Sequence, residues 1–480
     1  MTRLSSLVAR PFEVDPEIAG VTADSRAVRP GYLFAALPGA AADGRRFIPQ
    51  AVAAGAAAVL VPSDTLDEGW SIPVIRAHDP RRLYALAARA FHGPQPETVV
   101  AITGTNGKTS VAAFCRQLFN RVGRNAASMG TLGVVAGEEA ITPPGLTTPD
   151  AGEVAGLLSA LVDQGVTHLA LEASSHGVEQ KRLEGVTLTA AGFTNFTQDH
   201  LDYHGTMEAY LHAKLALFSR LLPRGRPAVL NADDEAYPYF AATAVQAGQT
   251  VLSVGAAGGF LRLIDREPTA EGQILTLDAE GRRHIVRLPL AGGFQAENAL
   301  VAAGLCIAAG EDAGDTLAAL ESIEGARGRL QKIGTGPRGG TVYVDYAHTP
   351  DGLATVLEAL REHASGRLLA VFGAGGDRDR GKRPLMGGIA TRLADQAIVT
   401  DDNPRSEDPA AIRAEILDGN TGLEEIGDRR AAIREAVSRL REGDVLVVAG
   451  KGHEQGQIVG GVTHPFDDAG EVAAALEAAR

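Results

Sequence analysis

The run Thr98-Val99-Val100-Ala101-Ile102-Thr103 passes directly into Gly104-Thr105-Asn106-Gly107-Lys108-Thr109-Ser110, and then into an apolar-periodic stretch that lasts to about Val122. A short apolar run rich in β-branched residues reads as a buried strand. Glycines at 104 and 107 let the backbone turn so that successive N–H groups face one point. The stretch from Lys108 reads as a helix whose positive N-terminus faces that same point. Strand, glycine turn and helix in this order open a doubly wound α/β domain with a mostly parallel sheet. The turn suits a phosphate: Lys108 can reach terminal phosphates, and the Thr109 hydroxyl can hold Mg²⁺. The usual eight-residue pattern would begin with a glycine at position 102, where this chain has Ile102; its first glycine is Gly104.

The chain has 480 residues, enough for about three domains, and we place them at 1–95, 96–325 and 326–480. The first reads as a small α/β unit, with a strand at Tyr32 to Leu37, a helix at Phe47 to Ala58, a strand at Ala57 to Val61 and a helix at Leu83 to Phe91. His92-Gly93-Pro94-Gln95-Pro96 has linker chemistry. In the second, further strands are expected at Val166 to Glu172, Thr189 to Thr194 and Ala228 to Asn231. Alternation with turn signals at Glu271-Gly272 and Glu280-Gly281 predicts a small antiparallel insertion over Leu261 to Leu290, and a helix over Ala296 to Ala309 closes the domain. The third repeats the α/β rhythm, with strands at Thr341 to Asp345, Leu368 to Phe372, Ala397 to Thr400 and Val445 to Ala449.

The formal net charge is -14 with no basic stripe, which argues against a nucleic-acid partner. No apolar run of about 18 residues free of charge occurs, so no membrane span is expected. Met1 to Arg10 lacks the apolar centre of a secretory signal. Cys115 and Cys306 sit in apolar helical patterns and read as buried free thiols. A cytoplasmic monomer is expected.

Glu172 ends an apolar strand, where doubly wound folds place ligand groups, and Ala173-Ser174-Ser175-His176-Gly177 follows. Asp199-His200-Leu201-Asp202-Tyr203-His204 is a second polar cluster. Its histidines are four apart, as in a zinc helix, but the intervening glutamate of a zinc protease is missing and Tyr203-His204-Gly205 resembles a helix end. A role for His200 and Glu172 with Mg²⁺ or phosphate is the better reading. Lys214 lies among apolar neighbours. Its pattern favours a lysine that snorkels to solvent, and the alternative is a desolvated amine open to modification. Asp402-Asn403-Pro404-Arg405, by pattern alone, is a turn with an exposed arginine.

Gly104 to Thr109, Glu172-Ala173-Ser174-Ser175-His176 and Asp199 to Gly205 together resemble the Mur ligases of peptidoglycan synthesis. Asp24-Ser25-Arg26 with Pro30-Gly31 resembles their uridine-nucleotide domain, and Asp402 to Arg405 with Gly450-Lys451-Gly452-His453-Glu454 their amino-acid domain. The resemblance implies three α/β domains: an N-terminal UDP-binding domain, a central phosphate-loop domain with a mostly parallel sheet and a C-terminal Rossmann-like domain. It implies ATP-dependent ligation, through an acyl phosphate, of meso-2,6-diaminopimelate to the D-Glu carboxylate of UDP-MurNAc-L-Ala-D-Glu. L-lysine or L-ornithine is the alternative acceptor, and a folylpolyglutamate-type ligase or a silent nucleotide sensor is a more distant alternative. It assigns ATP to Gly104, Thr105, Asn106, Gly107, Lys108, Thr109 and Ser110, with Asn298, Arg329 and Asp345 at adenine and ribose. It assigns Mg²⁺ to Thr109, Glu172, His200 and Lys214, the last as an N-carboxylated lysine, and catalysis to Lys108, Glu172, His200 and Lys214. The UDP-MurNAc-dipeptide falls to Ser25, Thr147, Thr148, Ser174, Gln180 and Arg182, and the diamino acid to Arg378, Asp402, Asn403, Pro404, Arg405, Gly450 and Glu454. Three places depart from the family pattern. Ala40-Ala41-Ala42 stands where relatives often carry His-Gln-Ala before Asp43-Gly44-Arg45, Gln295 stands where relatives commonly have Asn, and Gln455-Gly456-Gln457 lacks the usual aromatic residue.

Overall fold

The computed structural model describes residues 2–39, 42–66 and 69–479, so Ala40 and Ala41 of the first departure from the family pattern lie outside the described residues. It divides into two compact units, Met1–Ser253 with Gly304–Glu311, and Val254–Ala303 with Asp312–Arg480.

The first unit opens with a four-stranded parallel sheet of β1 (Gly20–Thr22), β2 (Tyr32–Ala35), β3 (Ala58–Pro62) and β4 (Val74–Ala77), in that order. The helix expected over 47–58 is shorter. A 3-10 turn at Gly44–Phe47 leads into Ile48–Ala53, and Gly55, at φ 90°, ends it. Its N–H closes the helix end by donating to Val52 O at 3.0 Å, and its carbonyl accepts from Gly31 N at 2.8 Å, just before β2. Helix α1 (Pro80–His92) starts at Asp79, whose carboxylate accepts from Arg82 N; proline at the first turn costs no hydrogen bond there.

The larger sheet follows: β5 (Thr98–Thr103), α2 (Lys108–Arg121), β6 (Ala126–Gly130), β7 (Gly133–Ala136), β8 (Glu139–Ala140), α3 (Ala151–Asp163), β9 (His168–Glu172), α4 (Ser175–Glu179), β10 (Ala190–Phe193), α5 (Leu201–His204), α6 (Met207–Ala216), β11 (Pro227–Asn231) and β12 (Thr250–Gly255). Their order across the sheet is β8-β7-β6-β9-β5-β10-β11-β12. Strands β6, β9, β5, β10 and β11 run parallel. Val99 and Ala101 of β5 pack with Leu169, Leu171 and Phe193 on one face, and Val100 and Ile102 are equally buried on the other. Such two-sided burial is why β5 is continuously apolar. Because β9 and β10 flank β5 with crossovers between them, the loops after all three strands converge at their carboxyl ends, where such sheets bind ligands.

In the second unit, β13 (Leu261–Thr269), β14 (Gly272–Ala279) and β15 (Arg282–Leu288) form the expected antiparallel insertion. A six-stranded sheet follows: β16 (Gln331–Thr335), β17 (Thr341–Asp345), β18 (Leu368–Phe372), β19 (Gln396–Val399), β20 (Glu424–Glu425) and β21 (Val445–Ala449), ordered β16-β17-β21-β18-β19-β20. All its pairs are parallel except β16 with β17. A hairpin, β22 (Gly456–Val459) and β23 (Val462–Pro465), extends from the loop after β21. Among the described residues no helix is long and apolar enough to cross a membrane, and Cys115 and Cys306 are buried free thiols.

Candidate active site

The phosphate loop is fastened to β10's end by residues that the motif does not contain. Thr105 N donates to Asn195 O at 2.8 Å and Asn106 N to Asn195 Oδ1 at 2.8 Å, while Thr194 Oγ1 donates to Asn106 O at 2.6 Å. Gly104, at φ 152°, leaves the space that the Thr194 hydroxyl fills; a Cβ would collide with it. Thr194-Asn195 follows the neighbouring strand, so a polar pair after an apolar strand was the available signal. Lys108 curls over the loop and donates to Gly104 O and Thr105 O, both at 2.8 Å.

Thr109 is buried on the first turn of α2, and its hydroxyl donates to Glu172 Oε2 at 3.0 Å. The Glu172 carboxylate also accepts from Thr131 N at 2.8 Å and Thr131 Oγ1 at 3.3 Å. Gly130 is what admits it, since a Cβ there would overlap the carboxylate. A hydroxyl and a carboxylate side by side are the hard oxygen donors that Mg²⁺ takes, usually with waters and phosphate completing the shell. This pair therefore fits the ion that the resemblance implies. Among the described residues no group of three His, Cys, Asp or Glu side chains could hold a metal on its own.

Lys214 does not snorkel. It is 1% exposed and donates to Gly104 O at 2.6 Å, the carbonyl that Lys108 also uses. Its Nζ lies 4.4 Å from the Tyr210 ring centre. Burial, reinforced by the Lys108 charge and opposed by Asp199, pushes its pKa well below the ordinary lysine value. The pattern misled because Lys214 lies on the inner face of α6 with Tyr210 and Ala213, while Glu208, Ala209 and His212 take the exposed face. The last turn of α6 widens into a π-helix at Leu217–Leu221, which buries Leu217, Phe218 and Leu221. A neutral amine is the form that can add CO₂.

His200 is exposed, with a left-handed backbone at φ 53°, and its Nε2 is 3.4 Å from Asp199 Oδ2. Its ring meets His176 edge-on at 5.0 Å. His204 is committed elsewhere: Nε2 pairs with Ser175 Oγ at 2.9 Å and Nδ1 lies 3.1 Å from Glu179 Oε2. A zinc site shared by His200 and His204 finds no support in this arrangement.

Five of the six residues expected at the UDP-MurNAc-dipeptide are contiguous. Thr147 Oγ1 meets Thr131 Oγ1 at 3.0 Å, and Thr148 Oγ1 donates to Glu172 O at 2.8 Å. Ser174 Oγ donates to Thr148 Oγ1 at 3.0 Å and caps α4 by accepting from Gly177 N. Arg182 reaches Thr148 O at 2.5 Å and Gln180 Oε1 at 2.8 Å. Gln180 and Arg182 line a cleft of about 100 Å³ with Leu37, Arg81, Tyr84, Leu146 and Asp150. Ser25 lies apart, in the 3-10 turn Ser25–Ala27 beyond β1.

In the second unit, the buried Asp345 carboxylate accepts from Leu330 N at 2.6 Å and Ala347 N at 2.7 Å, and burial raises its pKa. Arg329 lies over the Tyr346 ring at 4.8 Å, with its Nε unpaired. Asn298 donates to Gln295 Oε1 at 3.1 Å, and Gln295 in turn to Arg329 O at 3.2 Å. The longer Gln295 thus bridges the very residues expected at adenine. The His453 ring lies tilted against Tyr346 with centroids 4.9 Å apart, and its Nδ1 is buried and unpaired.

The loops after β19 and β21 hold the residues expected at the diamino acid except Arg378, which follows β18. Asp402, Asn403 and Pro404 are buried. Asn403 Nδ2 donates to Glu454 Oε2 at 2.7 Å. Gly450, at φ 120°, packs so closely that a Cβ would stand 2.5 Å from Asp402 Oδ2. Arg405 is not the exposed turn residue that its pattern suggests. It is half-buried at φ 53°, its backbone bridges to the β22 hairpin through Ile458 and Gly460, and its guanidinium donates to Gly376 O at 2.9 Å and Asn403 O at 3.5 Å. Among the described residues no carboxylate forms an ion pair with it. Arg378 is exposed and its guanidinium donates to Asp377 O at 3.1 Å.

A parallel sheet with a phosphate loop, a threonine–glutamate pair beside it and a second α/β sheet whose loops carry Asp402, Arg405 and Glu454 fit a nucleotide-dependent α/β ligase. The chain belongs to the Mur ligase family. It matches the Mur ligase family catalytic domain over 17–105, the Mur ligase middle domain over 102–306 and the Mur ligase glutamate ligase domain over 328–452. It is 68% identical over 480 residues, 99% of each chain, to UDP-N-acetylmuramoyl-L-alanyl-D-glutamate--2,6-diaminopimelate ligase of Caulobacter vibrioides. The protein of that name from Bradyrhizobium diazoefficiens is 50% identical over 99% of each chain. A solved structure bearing the same enzyme name aligns at TM-score 0.76 and 36% identity, again over 99% of each chain. Folylpolyglutamate synthase of Mycobacterium tuberculosis shares the fold at TM-score 0.59 and 21% identity, over 75% of this chain and 89% of its own.

Proposed function

We propose that the chain ligates meso-2,6-diaminopimelate to the D-Glu carboxylate of UDP-MurNAc-L-Ala-D-Glu, at the expense of ATP and through an acyl phosphate. The observation that carries the choice of acceptor is Arg405. Its guanidinium is held by the carbonyls of Gly376 and Asn403, among the described residues no carboxylate forms an ion pair with it, and the same Asn403 holds Glu454 through its amide. The distal end of diaminopimelate carries one carboxylate and one ammonium. Arg405 would grip the carboxylate through two hydrogen bonds, and Asp402 and Glu454 would take the ammonium. Lysine or ornithine would leave Arg405 unpaired, at a cost of about 1.5–3 kcal/mol for the missing charged hydrogen bonds. The names of relatives at 68% and 50% identity support the same acceptor.

In this reading the loop of Gly104, Thr105, Asn106, Gly107, Lys108, Thr109 and Ser110 holds the phosphates, and Lys108 leaves its carbonyls to meet the γ-phosphate. Asn298, Arg329 and Asp345 take adenine and ribose. Thr109 and Glu172, with His200 and a carbamate on Lys214, would hold Mg²⁺, which neutralises phosphate charge against the attacking carboxylate. Ser174, Thr147, Thr148, Gln180, Arg182 and Ser25 orient the nucleotide dipeptide. Domain boundaries at 95 and 325, a monomeric state and a cytoplasmic location complete the proposal.

The test is phosphate release from ATP with UDP-MurNAc-L-Ala-D-Glu and each of meso-diaminopimelate, L-lysine and L-ornithine. Diaminopimelate should be preferred by at least about 10-fold in kcat/KM, the equivalent of one charged hydrogen bond. Preference for lysine or ornithine sinks the acceptor assignment, and no acceptor-dependent release sinks the ligase reading.

A further inference from the structure

Lys451 is a fully buried cation behind the proposed acceptor pocket. Its side chain is 0% exposed; Nζ donates to Asn403 Oδ1 at 2.9 Å and lies 3.5 Å from Glu454 Oε2. Asn403 is fixed from three sides, since Oδ1 also accepts from Ile458 N at 3.0 Å and Nδ2 holds the same Glu454 oxygen at 2.7 Å. One layer deeper, Arg429 and Asp468 form a two-bond pair with both side chains 0% exposed, and Arg429 also donates to Ala449 O at 2.9 Å. That inner pair is balanced within itself and anchors the start of the loop that carries Lys451. Burial pulls the Lys451 pKa below the ordinary lysine value, and Asp402, buried and packed on Gly450, opposes that shift and favours the charged amine.

A buried charge persists only where something compensates it. Lys451 Nζ lies 3.5 Å from Glu454 Oε2 and is acted on by Asp402, so it offsets part of the carboxylate charge from behind, while the Arg405 guanidinium, held by backbone carbonyls, is kept for a carboxylate that arrives with the acceptor. A zwitterionic acceptor end supplies that carboxylate together with its ammonium. A cationic end supplies the ammonium alone and leaves Arg405 uncompensated.

Accepting the diaminopimelate reading above, we infer that Lys451 is a positioning and specificity-determining residue: it aims Asn403 and Glu454 and offsets one pocket carboxylate, so that the site selects a zwitterionic rather than a cationic acceptor end. It reaches no substrate itself. Its place between Gly450 and Gly452 is what lets it enter from behind, because Gly452, at φ 54°, packs against Tyr346 with no room for a side chain.

The test compares kcat/KM for meso-diaminopimelate and for L-lysine in the wild type, Lys451→Met and Lys451→Arg, with the KM for ATP and the melting temperature alongside. Lys451→Met should lower the diaminopimelate-to-lysine ratio by about 10-fold or more, chiefly through the KM for diaminopimelate, with the ATP KM within about twofold. Lys451→Arg, which keeps the charge, should recover part of the ratio. If Lys451→Met does not fold, Lys451→Gln, able to hydrogen-bond Asn403 without charge, replaces it with the same expectation. Equal losses for both acceptors, or an unchanged ratio, overturn the inference. A wild-type enzyme that prefers lysine instead overturns the acceptor reading on which it rests, and the two failures are told apart by that first comparison.

Discussion

The Thr109 hydroxyl donates to Glu172 Oε2 across 3.0 Å, joining the first turn after the phosphate loop to the end of the strand beside it. Thr131 holds the other side of the carboxylate, with its N–H 2.8 Å from Oε1. Glu172 is thus aimed before any ligand binds, and its charge is what a cation next to the phosphates would need. Glu172→Gln keeps the shape and removes the charge. We expect a loss of at least about 100-fold in kcat, the scale of removing one preorganised electrostatic group, with ATP affinity changed far less. Isothermal titration with ATP alongside steady-state kinetics separates the two; a parallel loss of ATP binding would instead make Glu172 a structural support of the loop.

Lys214 offers a test of its modification. Arginine at this position keeps a cation but cannot form a carbamate, so Lys214→Arg should lose about 100-fold or more in kcat on the same scale. Wild-type activity should fall in CO₂-depleted buffer and return with bicarbonate, and the residual activity of the variant should ignore both. Activity of the wild type indifferent to bicarbonate, with no mass increase of the carbamate under native conditions, would count against it.

The same burial has a stability consequence. The folded pKa of Lys214 lies well below the ordinary lysine value of 10.5, so between those two pH values the unfolded chain binds the extra proton. Stability must therefore rise with pH through that window. Lys214→Met removes the term. In CO₂-free buffer its melting temperature should exceed that of the wild type most at the low-pH end of the window, and the gain should shrink toward high pH. A gain that grows with pH would contradict the burial argument.

His453 behaves similarly in the acid range. Burial, with Arg329 and Arg327 nearby, pushes its pKa down to about 4, against about 6.5 in an unfolded chain. Its contribution is complete above pH 6.5 and is lost as pH falls through 4, a total of about 3 kcal/mol. His453→Gln should flatten the fall in melting temperature across that interval. An unchanged slope would mean that His453 is protonated without penalty.

Arg405 should govern the acceptor alone. Arg405→Ala is expected to raise the KM for diaminopimelate by about 10–100-fold, the value of one or two charged hydrogen bonds, and to leave the ATP KM in place. Because φ at this residue is 53°, Arg405→Gly relaxes the backbone while removing the same guanidinium. If the glycine variant regains the lost affinity, the residue works through loop geometry rather than charge.

Much of this protein was legible in its residues because the signals were local. The β-branched run before Gly104, the glycines of the turn and the periodicity after Lys108 each report on neighbours in sequence, and the strands Thr341–Asp345, Leu368–Phe372 and Val445–Ala449 fall where their apolar runs lie. The helix at Ile48–Ala53 came out short because alanine-rich periodicity does not register a left-handed glycine at its end.

Tertiary structure decided what depends on strands far apart in sequence lying side by side. Asn195 and Thr194 fasten a loop about ninety residues away because β10 pairs with β5. Lys214 is buried because α6 packs its inner face toward the phosphate loop, where Nζ meets Gly104 O, a fact that its own apolar neighbours could not distinguish from a snorkelling face. Arg405 and Lys451 owe their surroundings to β19 and β21, which sit in one sheet but are not adjacent in the chain. Residue pattern settles which segments form strands and helices, since backbone sterics and burial periodicity act over a few residues. Which charges end up enclosed together follows from long-range packing, and here that set the chemistry of the site.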